Sequence, residues 1–284
     1  MKIIDFHTHL SKYDQRGPIK SARAKDLLRY MEKYNVEKAV VLASYFPHHK
    51  YKKNGMTNDD LLKRVSGKDR LIPFGSLNME EFSKGGYDLE RMIVDKEIYG
   101  VKLYPGYQHF YPDDLKEFGM FYQLCEHQNV PVLLHSGSSN GKGSLLKYSM
   151  PILLDEVALE FPKLKIVIAH MGNPFFDQTK ELVHRHDNVY TDLSGLFFSG
   201  RKSIEKQIEY YRPKLLDFID YVNAVDKILY GSDFPVETME DSIAIVKSLG
   251  LTKKEEEKVF YKNAERLLKN KVFGTSSQSS EVLK

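Results

Sequence analysis

Eight short apolar runs recur along this 284-residue chain at roughly thirty-residue intervals. They are Lys2–Phe6, Ala39–Ser44, Leu71–Leu77, Gly100–Tyr104, Val130–His135, Lys165–His170, Asn188–Asp192 and Lys227–Gly231. Most are continuous rather than alternating, the pattern of strands buried on both faces in a parallel sheet. Between them lie stretches with apolar residues at three- and four-residue spacing, as in Ala24–Tyr34, Leu115–Gln128 and Pro213–Val222. Thr57 is placed to cap a helix over Asn58–Val65. Thr252 with Glu255 forms a capping box before Lys253–Tyr261, and Asn263–Lys269 reads as a further short helix. Strand–helix alternation repeated eight times predicts an α/β fold, a (β/α)8 TIM barrel, rather than an open sheet. No Gly-x-Gly-x-x-Gly follows the first strand, which removes the usual dinucleotide signature. No boundary interrupts the pattern, so residues 1–273 are expected to form one domain. The polar stretch 274–284 reads as a disordered tail.

Composition narrows the function classes. The 42 Lys and Arg against 39 Asp and Glu leave a net charge of +3, too balanced to predict binding to nucleic acid or an anionic membrane. Cys125 is the only cysteine, so no internal disulfide can form, and a reducing cytoplasm is expected. Asp5, His7 and His9 interrupt the first ten residues as no signal peptide would, and no window is apolar enough to span a bilayer.

In a barrel of this kind the chemistry sits where the strands end. Strand one ends in His7 and His9, two residues apart and so on one face, with Asp5 on that face by the same alternation. A His-x-His alone arises easily by chance among ten histidines. Strand five ends in His135, strand six in His170, strand seven in Asp192, and strand eight runs into Gly231-Ser232-Asp233. Random placement would rarely put four histidines at the exits of three strands. The joint pattern points to a metal centre, although His135 or His170 taken singly would read as a core histidine. Asp192, followed by Ser194-Gly195, reads first as an ordinary turn residue.

Lys102 alternates with Val101 and Leu103, so it and Tyr104 are expected inside the barrel near its mouth. There Lys102 could bind a substrate carboxylate, or carry a carboxylated amine that bridges two metals. A stem that packs while its ammonium reaches solvent is the bland alternative. Tyr104, Tyr107, His109, Phe110 and Tyr111 could wall a pocket for a planar ligand, or form an ordinary aromatic loop. Ser136–Gly143 lacks a P-loop ending and reads as a loop flanking the site. The Lys50–Lys53 run reads as a solvated loop or a lid. His48 and His49 have no expected metal role, and His184 and His186 suit a helix C-terminus. No Gly-x-Ser-x-Gly elbow is present and Cys125 lies mid-helix, which leaves serine and cysteine nucleophiles unsupported.

The segments Ile4-Asp5-Phe6-His7-Thr8-His9, Gly100-Val101-Lys102-Leu103-Tyr104-Pro105, Pro131–His135, Ile168-Ala169-His170-Met171-Gly172 and Leu229–Pro235 together resemble the amidohydrolase superfamily. They are most similar to its branch containing aminocarboxymuconate-semialdehyde decarboxylase, and Asn263–Leu268 looks like that branch's closing helix. The resemblance implies one divalent metal, commonly zinc, held by His7, His9, His135 and Asp233. It implies His170 as the catalytic histidine that polarises substrate, and Asp233 as general base as well as ligand. Lys102 matches the position where some relatives carry a metal-bridging carboxylated lysine, so a second metal is an open alternative. Some decarboxylases of the branch use an arginine beyond strand two, and no arginine lies between Arg29 and Arg64 here.

The expected activity is therefore metal-dependent hydrolysis of a C–N or C–O bond in a small, carboxylated substrate bound with the help of Lys102 and Tyr104. Non-oxidative decarboxylation on the same scaffold is the nearest alternative. A TatD-type metallonuclease fits less well, because of the Gly231–Pro235 ending and the neutral charge, and a barrel that has lost its chemistry is a further class. Partners beyond a small molecule are not expected, save that a homodimer is compatible with the sequence.

Overall fold

The computed structural model describes residues 1–11, 19–46, 55–85, 88–139, 143–197, 202–223 and 225–268. The expected tail 274–284, the Lys50–Lys53 run and His48 and His49 lie outside the described residues. Eight strands follow one another in a single parallel sheet: β1 (Ile3–Thr8), β2 (Val36–Leu42), β3 (Leu71–Gly75), β4 (Gly100–Leu103), β5 (Val132–Leu134), β6 (Ile166–Ile168), β7 (Val189–Asp192) and β8 (Ile228–Leu229). Each overlaps one predicted run, and the (β/α)8 barrel is borne out. The sheet closes on itself. Phe6 donates its N–H to the Tyr230 carbonyl at 2.9 Å, and Asp233 donates its N–H to the His7 carbonyl at 2.9 Å.

Two apolar layers hold the barrel. Val101, Leu103, Val132, Leu134, Ile166 and Ile168 face the surrounding helices, while Val40, Leu42, Ile72, Leu133, Val167 and Leu229 fill the interior. This is the alternation expected of strands buried on both faces. The bottom of the interior is plugged by Tyr261, Ala264, Leu267 and Leu268 from the closing helix. The top is left to polar residues.

The capping signals hold: the Thr57 hydroxyl accepts from the Asp60 N–H, and Thr252 and Glu255 cap reciprocally. One helix differs from its prediction. Pro213 is not a first-turn residue but lies inside a helix running Ile204–Val222, capped by Ser203. Ile204, Ile208 and Tyr211 pack against the core and carry the apolar spacing through the proline.

β1 departs from regular pairing. Asp5 pairs with Ala39 but Thr8 with Val41, so one extra residue is accommodated between them. Such a bulge re-aims the side chains around it. His7 and His9 both reach the barrel mouth, as expected from alternation. Asp5 does not share their cavity; it turns to Ser232 at the end of β8.

Candidate metal centre

Above the strand ends lies a cavity of about 630 Å³ with His7, His9, His135, His170 and Asp233 at its base. The base is assembled by hydrogen bonds whose direction can be followed from buried acceptors outward. Asp192, at the end of β7, is fully buried. Its Oδ1 accepts from the His170 N–H at 2.9 Å, the Ser194 N–H at 3.1 Å and the Ser194 hydroxyl at 2.5 Å. Its Oδ2 accepts from His7 Nδ1 at 2.8 Å. Three donors thus crowd Oδ1 and one engages Oδ2, so both oxygens are held by the fold.

Two consequences follow for the imidazoles. His7 carries its proton on Nδ1, which leaves Nε2 bare and facing Asp233 Oδ1 at 3.6 Å. His170 Nδ1 lies 3.0 Å from the Ser194 carbonyl, an obligate acceptor, so it too is protonated there. The bare Nε2 of His170 then accepts from His135 Nδ1 at 3.1 Å. That leaves His135 Nε2 as a lone pair, buried and without a hydrogen-bond partner. His9 Nε2 completes the group, 3.2 Å from Asp233 Oδ1.

Burial reinforces the neutral state. Desolvation, and then the positive charge of Lys102, holds His7 well below the ordinary histidine range. Burial and then Lys102 bring His135 down to about 3. Burial and the His7 and His135 rings also lower His170 strongly. Neutral imidazoles with unshared pairs are what a divalent ion needs as ligands.

Two sets of donor atoms lie within 4.8 Å of one another: His7–His170–Asp192 and His7–His9–Asp233. The first is buried, and its carboxylate already accepts from four donors of the fold. The second opens onto the cavity, with His135 Nε2 on the same lining. His135 belongs to neither set, but its orphaned nitrogen and the imidazole and carboxylate donors around this cavity fit a divalent metal ion. Asp192 orients His7 and His170 rather than competing for the ion.

The backbone contributes strain at two of these positions. His170 (φ 59°) and Asp233 (φ 50°) adopt left-handed conformations that non-glycine residues seldom take. Gly195 lets the β7 exit loop pass against His170; a Cβ there would lie 2.2 Å from His170 Nδ1. Beneath β8, Asp5 accepts the N–H groups of His7 at 3.2 Å and Ser232 at 3.0 Å, and the Ser232 hydroxyl at 2.5 Å. It thus ties together the residues flanking two proposed ligands. Full burial pushes its carboxyl up to about 7.

Lys102 is fully buried, its ammonium has no hydrogen-bond partner, and it does not line the cavity. It sits 5.0 Å from the Tyr104 ring centroid. Burial lowers it to about 8, with Asp192 and Asp233 pulling the other way. Direct substrate contact, expected from the sequence, is not offered by this placement. Tyr104 does line the cavity, and its hydroxyl donates to the Ala43 carbonyl at 3.0 Å. Of the aromatic loop, Tyr107 also reaches the cavity, whereas Phe110 joins the helix-side core and His109 bonds the Gly143 carbonyl. Ser138 and Ser139 bring the Ser-rich loop to the rim; residues 140–142 of that loop lie outside the described residues.

Sequence reasoning missed several contributors. Asp192 was read as a turn residue, although it ends a strand in register with the other site residues. Glu237 is fully buried four residues beyond Asp233, where it accepts from the Phe197 N–H at 2.8 Å and fixes a cavity wall. Desolvation holds its carboxyl well above the usual range. Lys202, Lys206, Tyr210 and Tyr211 of the Ile204–Val222 region also line the cavity. No periodicity connects them to the strand ends.

A barrel whose strand exits converge on three imidazoles and a carboxylate is the architecture of metal-dependent hydrolases and their decarboxylating relatives. The chain belongs to the amidohydrolase family, whose model matches residues 4–269. It is an enzyme of the amidohydrolase type. Among solved structures it is similar to an uncharacterised TIM-barrel protein from Bordetella bronchiseptica, at 22% identity and TM-score 0.74, covering 95% of this chain and 99% of that one. A probable 2-pyrone-4,6-dicarboxylic acid hydrolase from Acinetobacter baumannii, with citric acid bound, matches at 19% identity and TM-score 0.68, over 95% and 100%. A dihydroxybenzoic acid decarboxylase from a Polaromonas species, with bound manganese and 2-nitroresorcinol, matches at 16% identity and TM-score 0.69, over 94% and 97%. Among the described residues no helix is long and apolar enough to cross a membrane.

Proposed function

We propose that this chain hydrolyses a C–N or C–O bond in a small carboxylated molecule, with one zinc ion held by His7, His9, His135 and Asp233. The observation that carries this reading is the His7–His9–Asp233 donor set on the cavity lining, which the buried, partnerless His135 Nε2 shares. A bound divalent ion supplies Lewis acidity and an acidified water. The chain's own groups do the rest. Asp233, at the cavity base, takes the proton released on attack and returns it to the leaving group. The bare His170 Nε2 can exchange its bond from His135 for one accepted from a substrate or water O–H, steadied through Nδ1 by Ser194. Tyr104 and Tyr107 hold the substrate against the base. Lys102, beneath the site, adds positive charge near Asp192 and Asp233, and a carboxylated Lys102 bridging a second ion remains a variant of the same proposal. No nucleic-acid or membrane partner is proposed, a homodimer is compatible with the reading, and Cys125, buried and alone, supports residence in the cytoplasm.

Decarboxylation is the second reading. The aromatic wall of Phe46, Tyr104 and Tyr107 favours it, since a planar ring can lie there with Asp233 placed to carry a proton to the ring carbon. The two separate in one experiment. Zinc- and manganese-loaded protein is given pyrone dicarboxylates, aryl lactones and dihydroxybenzoates in ¹⁸O-water. Label in a ring-opened acid establishes hydrolysis, whereas carbon dioxide with no label in the organic product establishes decarboxylation. Turnover that persists in His135→Ala would overturn the metal-centre reading.

A further inference from the structure

Glu237 is fully buried four residues beyond Asp233, and the mechanism above gives it no part. Among the described residues no cation pairs with it, and its two oxygens are engaged differently. Oε1 accepts from the Phe197 N–H at 2.8 Å. Oε2 lies 3.4 Å from the Ser242 hydroxyl oxygen. That hydroxyl has one proton, and its nearest acceptor is the Thr238 carbonyl at 2.9 Å. With the proton directed there, Ser242 Oγ turns a lone pair toward Oε2. A hydrogen between those two oxygens then belongs to Glu237. A buried carboxyl with no cation beside it is stable in that uncharged form. Desolvation, and then the charge of Asp233, push the group in the same direction.

The bond to Phe197 crosses between two strand exits. Glu237 follows the turn after β8 in which Val236 donates its N–H to the Asp233 carbonyl at 2.8 Å. Phe197 lies on the segment leaving β7. That segment is held at its start by the Leu193 N–H, which donates to the Leu229 carbonyl at 3.1 Å, and Leu193, Leu196 and Phe197 are all buried. Between these two anchors lie Ser194, whose carbonyl faces His170 Nδ1 at 3.0 Å, and Gly195, which passes against the same ring. The His170 ring therefore rests on a loop whose far end is pinned by one carboxyl group.

We propose that Glu237 is a positioning residue that works as an uncharged carboxylic acid: it pins the β7 exit loop and, through Ser194 and Gly195, sets the ring orientation and tautomer of His170. The brace is defined by protein atoms alone. Its effect on zinc, through His170 and His135, rests on the metal-centre reading.

The test compares wild type with Glu237→Gln, which keeps an oxygen for Phe197, and with Glu237→Leu, which keeps the volume and loses the acceptor. Metal-free protein at neutral pH gives the amide exchange of Phe197, the ¹⁵N shifts of the His170 ring, and the infrared difference between wild type and Glu237→Gln. The difference spectrum is expected to show a carboxylic-acid carbonyl. Glu237→Gln should keep slow exchange at Phe197 and a His170 ring protonated on Nδ1. Glu237→Leu should speed that exchange about tenfold or more and mix the two tautomers. A loss of stability alone would not move the His170 signals of the folded molecules. Zinc affinity, by chelator competition, should follow the ring: near wild type in Glu237→Gln and about tenfold weaker in Glu237→Leu. If the leucine variant does not fold, Glu237→Asp, whose shorter carboxyl falls short of Phe197, takes its place with the same expectations. A carboxylate band in place of the acid carbonyl overturns the proposal. So does a glutamine variant that behaves like leucine, or a leucine or aspartate variant with the His170 signals of wild type. The metal-centre reading fails separately: a chain that takes up no zinc, yet shows ring signals that depend on Glu237, keeps the brace and loses the metal.

Discussion

Asp192 and Asp233 end neighbouring strands of one barrel and flank the same imidazole, yet they do opposite work. Asp192 meets His7 through Nδ1, is fully buried, and has both oxygens engaged by four donors of the fold. Asp233 faces His7 through Nε2, borders the cavity, and has His9 as its nearer neighbour. The difference lies in hydrogen-bond saturation, not residue type. A saturated carboxylate fixes geometry, whereas an unsaturated one beside bare imidazole nitrogens is free to bind an ion and move a proton. The same contrast orders the histidines: His170 is engaged on both ring nitrogens, while His135 keeps one nitrogen bare.

The largest effect that can break this contrast is on turnover. Asp233→Asn keeps the left-handed backbone accessible, since asparagine tolerates it. The variant should lose about 10³-fold or more in kcat/KM on whichever compound the hydrolysis–decarboxylation experiment finds consumed, with a melting temperature close to wild type. Asp192→Ala should do the reverse in kind. It leaves the His7 ring, two backbone N–H groups and the Ser194 hydroxyl without their acceptor, and should cost about 3–5 kcal/mol in denaturant unfolding. Asp192→Asn is milder, because an amide fills the space but offers the wrong group to His7 Nδ1. Zinc affinity, measured by chelator competition, should fall about 10–100-fold. If Asp192→Ala unfolds like wild type while Asp233→Asn is unstable, the two roles are wrongly assigned.

Much of this was legible in the chain. The eight strands and the exits at His7, His9, His135, His170 and Asp233 follow from apolar runs and from a fold that puts strand ends together. Asp192 was visible at its strand end but not interpretable, since a carboxylate's role depends on which donors surround it in space. Asp5 was misplaced because a one-residue bulge in β1 leaves no mark on the alternation pattern. Lys206, Tyr210 and Tyr211, which line the cavity, belong to a helix whose start was hidden by Pro213, which sequence rules read as a first-turn residue. What the sequence withheld is therefore three-dimensional: saturation, a register shift, and an element boundary overridden by packing.

Lys102 sharpens the contrast from beneath, as a buried charge that neither saturates a partner nor lines the cavity. Its pKa falls from 10.5 unfolded to about 8 folded. Between those values the unfolded chain binds the extra proton, so the stability of the metal-free protein should rise with pH through that window and flatten above it. Below pH 8 the lysine costs on the order of 3 kcal/mol, the free-energy equivalent of that shift. Lys102→Met should therefore raise the stability of the metal-free protein at pH 7 by about 1–3 kcal/mol and abolish the alkaline rise, as followed by denaturant unfolding at several pH values. A methionine variant no more stable than wild type would mean that an acceptor reaches the ammonium in solution.

The histidines carry a pH dependence of the same sign in a lower window. His7, His135 and His170 are all shifted below 6.5, His135 to about 3. Below pH 6.5 the unfolded chain takes up protons that the folded chain refuses, so stability falls as pH drops, in the metal-free protein as well as the loaded one. Gly195→Ala probes this cluster without deleting any polar group. Its φ of 61° already disfavours alanine, and the added methyl must displace the His170 ring or the loop. The expected cost is about 1–2 kcal/mol in stability. The informative quantity is zinc affinity per folded molecule. If the Ser194–His170–His135 chain sets which nitrogen of His135 is bare, a displaced His170 should weaken zinc binding several-fold even in fully folded protein. If zinc affinity is unchanged while the melting temperature falls, His135 chooses its tautomer without help, and only Asp192 remains as an orienting group.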